Sequence, residues 1–165
     1  MYPSFNLGRF FFAFGRPDLT LREAERLWST APSEELAVIE GEAALRSGRL
    51  ATSLPRLEAA LRRHPGSAEI ERYVALGLAF RAQELLDKGS PKEAELDLHR
   101  MLALTPDACG PYCGLAKAAV LQGDVARAQR LLAEALRKDT DGTCRHNARR
   151  DPHLAPLLDR GIETP

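Results

Sequence analysis

The stretch GPYCGLAKAAVLQGDVARAQRLLAEALRK, residues 110–138, decides the fold. Gly123 and Asp124 divide it into two runs rich in helix-forming residues, each with apolar side chains at helical spacing. The reading is one helix over about 109–122 and a second over about 125–138, joined by a two-residue turn. Small residues at Ala116, Ala128 and Ala135 let the two helices approach closely. Tyr112, Leu115 and Leu132 fill the space toward neighbouring hairpins.

Working outward, the same pattern recurs twice toward the N-terminus. Gly48 and Gly89 divide earlier helical patterns as Gly123 divides this one, and Ala60, Met101 and Ala135 follow at a constant offset. Pro65 and Pro106 also occupy matching places. The interval is 34 residues from the second copy to the third and 41 from the first to the second. A two-helix unit repeating at roughly 34 residues implies an all-α fold of the α-solenoid kind, whose stacked hairpins offer an extended surface to a partner.

The hairpins are expected over about 33–47 with 50–63, 67–88 with 91–104, and 109–122 with 125–138. Ser90, Pro91 and Glu93 form an N-cap, a first-turn proline and a capping-box acid. Ahead of the repeats, a helix over about 20–28 has Thr20 and Glu23 spaced as a capping box. The extra seven residues of the second copy are close to two helical turns and rotate the apolar face by only ~20°. The first helix of that hairpin therefore fits two registers, Val74, Ala75 and Leu78 or Leu78, Ala82 and Leu85.

Both ends stand apart. Residues 1–17 hold five of the six phenylalanines, Phe5, Phe10, Phe11, Phe12 and Phe14. Such an aromatic arm would cover an open end of the repeats, dock on another subunit or occupy the chain's own groove. Residues 18–31 form an N-terminal helical segment, 33–140 the three hairpins and 141–165 a capping segment. Asp151–Pro152 opens a short last helix there, with Leu154, Leu157 and Leu158 covering the final hairpin.

Composition excludes several classes. Lys and Arg number 23, equal to Asp and Glu, so no net field recruits nucleic acid or an anionic membrane. The basic run Arg145, His146, Arg149 and Arg150 lacks interleaved aromatics and reads as a solvated helix face or a contact for an acidic partner. The most apolar stretch, Phe10 to Phe14, is far shorter than the ~20 residues of a membrane span. It is also bracketed by Arg9 and Arg16, unlike a secretory signal. Three cysteines favour structural thiols in a reducing compartment, and a cytoplasmic setting is expected.

The repeats resemble the tetratricopeptide repeat family over about residues 33–140. The third copy carries the pattern best in Tyr112, Leu115, Ala116, Ala119, Ala128, Leu132 and Ala135, with Thr140 where proline is usual. The first keeps Gly41, Gly48, Leu57, Ala60 and Pro65 but has Glu40 and Ser53 at normally apolar or small places. The second keeps Ala82, Gly89, Ala94, Leu98 and Pro106, with Met101 in place of alanine. The closing segment Arg150 to Leu157 looks like that of many bacterial repeat proteins.

The resemblance implies a concave groove lined by the first helices, receiving an extended peptide or a helix. Carried onto this chain, its positions are Glu35, Val38, Glu42, Leu45 and Arg46 in the first copy. Leu76, Ala79, Gln83, Leu86 and, depending on register, Phe80 follow in the second, and Gly110, Cys113, Lys117, Val120 and Leu121 in the third. The clamp by which some family members bind acidic chaperone tails needs cations where this chain has Val38, Glu42, Phe80 or Ala79, Gly110 and Gly114.

Candidate chemistry is sparse. Cys109, Cys113, Cys144 and His146 could in principle ligate zinc, but their spacing matches no compact motif, and buried thiols are the expected reading. Glu95 and His99 share a helix face and read as a solvated or paired couple. No Ser–His–Asp set, phosphate-cradling loop or carboxylate pair stands out, so no enzyme and no cofactor is expected. The expected function is protein–protein interaction, as adaptor or scaffold. A small chaperone of the bacterial type III secretion class and a homo-oligomer built through the phenylalanine arm are the alternatives.

Overall fold

The computed structural model describes residues 15–30 and 32–159, so most of the aromatic arm lies outside the described residues. Among these residues the chain forms nine α-helices and no strand. They are α1 (Pro17–Leu27), α2 (Glu34–Arg46), α3 (Leu50–Arg63), α4 (Ala68–Asp87), α5 (Pro91–Leu104), α6 (Gly110–Leu121), α7 (Val125–Lys138), α8 (Thr143–Arg150) and α9 (Ala155–Asp159). No helix among them is long and apolar enough to cross a membrane. The chain divides into two compact units, residues 1–77 and 78–165, so α4 contributes its first half to one and its second half to the other.

Glycine sets the turns of all three hairpins. Gly48, Gly89 and Gly123 have φ of 68°, 74° and 81°, a left-handed conformation that closes the preceding helix and costs other residues energy. The first helix begins differently from expectation. Pro17 occupies its first turn, where a missing N–H is harmless, while Thr20 Oγ1 donates to the Arg16 carbonyl at 3.1 Å and Glu23 pairs with Arg26. The Thr20–Glu23 capping box is therefore not made. Ser90 likewise makes no side-chain cap, leaving Pro91 to start α5.

In the first unit, α1 packs Ala24 and Leu27 with Leu36 of α2, beside Trp28. Ser33 Oγ caps α2 by accepting the Leu36 N–H at 3.1 Å. Glu40 is fully buried and receives the Trp28 indole N–H and the Arg56 Nε–H, the latter at 2.7 Å. Arg56 also reaches Glu25 at 3.0 Å. Glu40 therefore departs from the apolar pattern because a partner on α3 satisfies its charge. Ser53, the other departure, is also buried, and its hydroxyl has no hydrogen-bond partner among the described residues.

The second unit repeats this device with the signs exchanged. Arg81 and Asp97 lie 41 residues beyond Glu40 and Arg56, at the repeat interval. They form a two-pronged pair, Nε to Oδ2 at 2.6 Å and Nη2 to Oδ1 at 2.5 Å, with Asp97 buried. A further 34 residues on stand Leu115 and Leu131, which meet in an apolar cluster with Ala82, Leu86, Ala94, Leu98 and Ala118. Two hairpins thus tie their helices with an ion pair, and the third uses leucines.

The ambiguity of register in α4 has a physical cause. Tyr73, Val74 and Ala75 are buried in the first unit, and Leu78, Ala82 and Leu86 in the second. The helix uses both registers, one on each half, although in the second Leu85 is only partly buried and Leu86 is the residue that enters the core.

Gly41 marks a close approach within the first unit. A Cβ there would lie 2.4 Å from the Tyr73 ring. The Tyr73 hydroxyl donates to Glu42 at 2.7 Å and accepts from Arg72 at 2.8 Å, which holds the ring in place. Burial first, and then the Glu42 carboxylate, push the Tyr73 phenol up to about 12. Gly41→Val is expected to destabilise the first unit by about 3 kcal/mol through overpacking, read from urea unfolding followed by Trp28 fluorescence. A loss under about 0.5 kcal/mol would show that the ring can turn aside.

Beyond the last hairpin the turn Asp139 to Gly142 leads into α8, on which Arg145, His146, Arg149 and Arg150 are exposed, as expected of a solvated helix face. Cys144 and Ala148 are its buried residues. Leu154 and Leu157 then join Leu132, Leu136 and Ala148 in one apolar cluster, with Leu158 packed against it.

Candidate functional site

The second unit contains an open cleft of about 360 Å³. The second half of α4 supplies Ala79, Ala82, Gln83 and Leu86, and α5 supplies Leu98 and Met101. Gly110, Cys113, Gly114 and Lys117 line it from α6, while Cys144, Asn147, Ala148, Asp151 and Leu154 close it from the C-terminal segment. Gly114 lets α6 approach α5, since a Cβ there would lie 2.6 Å from Leu98 Cδ2. Gly110, at the first position of α6, has open space where a Cβ would stand.

Apolar side chains form the walls and a fixed ion cluster lies among them. The Lys117 side chain is 12% exposed, with Nζ 3.0 Å from Asp151 and 3.7 Å from Asp87. Gln83 donates to the same Asp87 at 2.7 Å. A lysine so placed acts as a held cation that orients polar groups. The Cys113 thiol is pushed up to about 11, chiefly by burial and then by the negative charges of Asp139 and Asp151. It is therefore protonated near neutral pH and a poor nucleophile.

Of the expected groove positions, Ala79, Gln83, Cys113 and Lys117 come together in this cleft, as do Leu86 and Gly110. Val120 does not line it and packs against the cluster around Leu132. Val38, Leu45 and Leu76 are partly buried in the first unit. Glu42 is engaged there by Arg46 at 3.0 Å and by Tyr73, and these hydrogen bonds lower its carboxyl below the usual range, Tyr73 having the larger effect. Asn147, Asp151 and Leu154 escape the repeat pattern as lining residues because they come from a segment outside the repeats.

The cysteines correct the sequence reading. Cys109 and Cys144, 35 residues apart, form a disulfide with their Cα atoms 6.3 Å apart. Cys113 is the free cysteine. The chain returns α8 to the start of α6, a proximity that spacing along the sequence does not reveal. Cys109, Cys144 and Asp139 offer potential ligand atoms within 4.8 Å of one another, but the two sulfurs are bonded to each other and neither is a free thiolate. His146 is exposed and outside that group. Glu95, expected to share a couple with His99, instead pairs with Arg127 at 2.8 Å.

No family model matches the sequence, and no curated protein matches it. Solved structures match the fold over nearly the whole chain. MamA 41-end from Desulfovibrio magneticus RS-1 aligns with a TM-score of 0.57 at 17% identity, covering 98% of this chain and 92% of that one. The MamA RS-1 ArsTM double mutant aligns with the same values. TTC0263, a thermophilic TPR protein in Thermus thermophilus, aligns at 0.49 and 20% identity, covering 96% of this chain and 82% of that one. The repeating helix pairs define an all-α chain with the tetratricopeptide-type fold of the α-solenoid class.

Proposed function

We propose that the chain is a non-enzymatic adaptor or assembly scaffold holding a partner peptide or helix, with one apolar side chain seated in the cleft of the second unit. The observation that carries this reading is the lining itself. Alanine, leucine and methionine form the walls, and a few polar groups stand at fixed places, as in sites that anchor a large side chain and orient it. Lys117 is already neutralised by two carboxylates, which favours an uncharged anchor over an acidic one. Nucleic acid, membrane and cofactor have no part in this reading, and the setting proposed is the cytoplasm. The remaining groove positions, Val38, Glu42, Leu45 and Leu76 in the first unit and Val120 in the second, stay part of the proposal as secondary contacts.

The test compares capture of binding partners from native extract by wild type, an Ala79→Glu/Gly110→Trp variant and a Leu45→Glu variant, each checked for folding by circular dichroism. Gly110 has room for a new side chain, and Ala79 is only partly buried. A partner retained by wild type and reduced at least about tenfold by the cleft variant is expected, equivalent to about 1.4 kcal/mol. Loss with Leu45→Glu alone would move the site to the first unit. Equal retention by all three would overturn the groove altogether. In that event, a concentration-dependent mass abolished by removing residues 1–17 would favour self-assembly through the phenylalanine arm. Capture of an exported protein's hydrophobic segment would identify the chaperone class.

A further inference from the structure

We propose that the Cys109–Cys144 disulfide is a reversible redox latch that holds α8 as one wall of the cleft. The proposal rests on the cleft reading given above and adds its regulation. Three observations converge on it. Cys144 itself lines the cleft, so the bridge is part of the wall it secures. α8 is only eight residues long and buries two of them, Cys144 and Ala148. A helix of that length has little stability of its own and depends on its attachments.

Apart from the bridge, those attachments are modest. Asp139 accepts the N–H groups of Cys144 at 3.1 Å and Arg145 at 2.8 Å, which caps the start of α8. Asp151, just beyond its end, pairs with Lys117. Arg145, His146, Arg149 and Arg150 all face solvent. The disulfide is the covalent tie between this helix and the start of α6.

Reduction requires a dithiol from outside. Its thiolate attacks Cys109, the more exposed of the two residues, and forms a mixed disulfide while Cys144 leaves as thiolate and takes up a proton. The second thiol of the reductant then displaces Cys109, which leaves with a proton, and the reductant ends as its own disulfide. Two electrons and two protons thus pass to the protein. Cys113, four residues along from Cys109, does not open the bridge from within, because its partly buried thiol is kept protonated. Once the bridge is open, α8 detaches and the cleft loses Cys144, Asn147 and Ala148 from its wall.

Cys113 also reports on the wall. Its alkylation by N-ethylmaleimide, located by peptide mass spectrometry, is measured at fixed pH in oxidised wild type and in a Cys109→Ser/Cys144→Ser variant. At least tenfold faster alkylation is expected in the variant, and equal rates would overturn the latch. Hydrogen exchange of wild type with and without dithiothreitol covers the case of a variant that fails to fold. Exchange in residues 143–150 that accelerates well beyond any change in α5, α6 and α7, to the rate of an unfolded segment, supports the latch, whereas acceleration by the same factor in all four helices would show a general staple and overturn it. Neither measurement involves a partner. A failed capture experiment therefore leaves this result standing, and a failed latch leaves the binding reading intact.

Discussion

Replacing Arg56 with methionine is expected to destabilise the first unit by about 3 kcal/mol, the lower end of what breaking a buried ion pair costs. Methionine keeps much of the arginine's apolar stem, so the main loss is charge compensation. Glu40 stays fully buried, and its other contact, the Trp28 indole, is neutral. Arg56 is itself one-third exposed, so water reaching Glu40 in its place moderates the penalty. The chain's one tryptophan touches the altered carboxylate, so urea unfolding followed by its fluorescence reads this unit directly.

The companion double variant, Glu40→Leu with Arg56→Met, separates charge from packing. It imitates the third hairpin, where Leu115 and Leu131 occupy the equivalent places. Most of the lost stability is expected to return, short of about 1 kcal/mol for the indole N–H left without its acceptor. A single variant within about 0.5 kcal/mol of wild type would mean that solvent already screens Glu40. A double variant no better than the single would mean that the cavity, not the charge, sets the cost.

The second large effect lies in the second unit. Removing the Cys109–Cys144 bridge is expected to destabilise it by about 4 kcal/mol, from the chain entropy of a loop closed over a separation of 35 residues. For a unit of this size the midpoint of thermal unfolding should fall by roughly 20 °C. Circular dichroism of wild type with and without dithiothreitol, beside the Cys109→Ser/Cys144→Ser variant, measures it. Reduced wild type and the variant should agree. A shift of only a few degrees would show that the bridge barely constrains the unfolded chain, or that its gain there is offset in the folded one.

The same two places show where sequence reading stops. Glu40 stands out as a departure from the repeat, but its partner does not, because Arg56 lies on another helix and charged residues are abundant on helix faces. Its counterpart pair, Arg81 and Asp97, has the opposite order of charges, which hides the correspondence from a comparison of residue types. The helix α8, with the sequence TCRHNARR, has too few apolar residues to reveal a period. Thr20 and Glu23 have the spacing of a capping box, yet Pro17 begins the helix earlier and removes the need for one.

What the sequence by itself determined is local. Helices Leu50–Arg63, Pro91–Leu104 and Val125–Lys138 begin and end where the pattern of apolar residues, prolines and glycines places them. Glycines at 48, 89 and 123 define the hairpin turns because a left-handed backbone is tolerated there and disfavoured elsewhere. These preferences act over a few residues and can be read in a line. Tertiary structure alone decided which charges are paired, that α4 serves both units in two registers, and that Cys109 meets Cys144. It also assembled the cleft from α4, α5, α6 and the C-terminal segment. Those outcomes depend on where separate elements come to lie in space, and residue spacing along the chain carries no record of that distance.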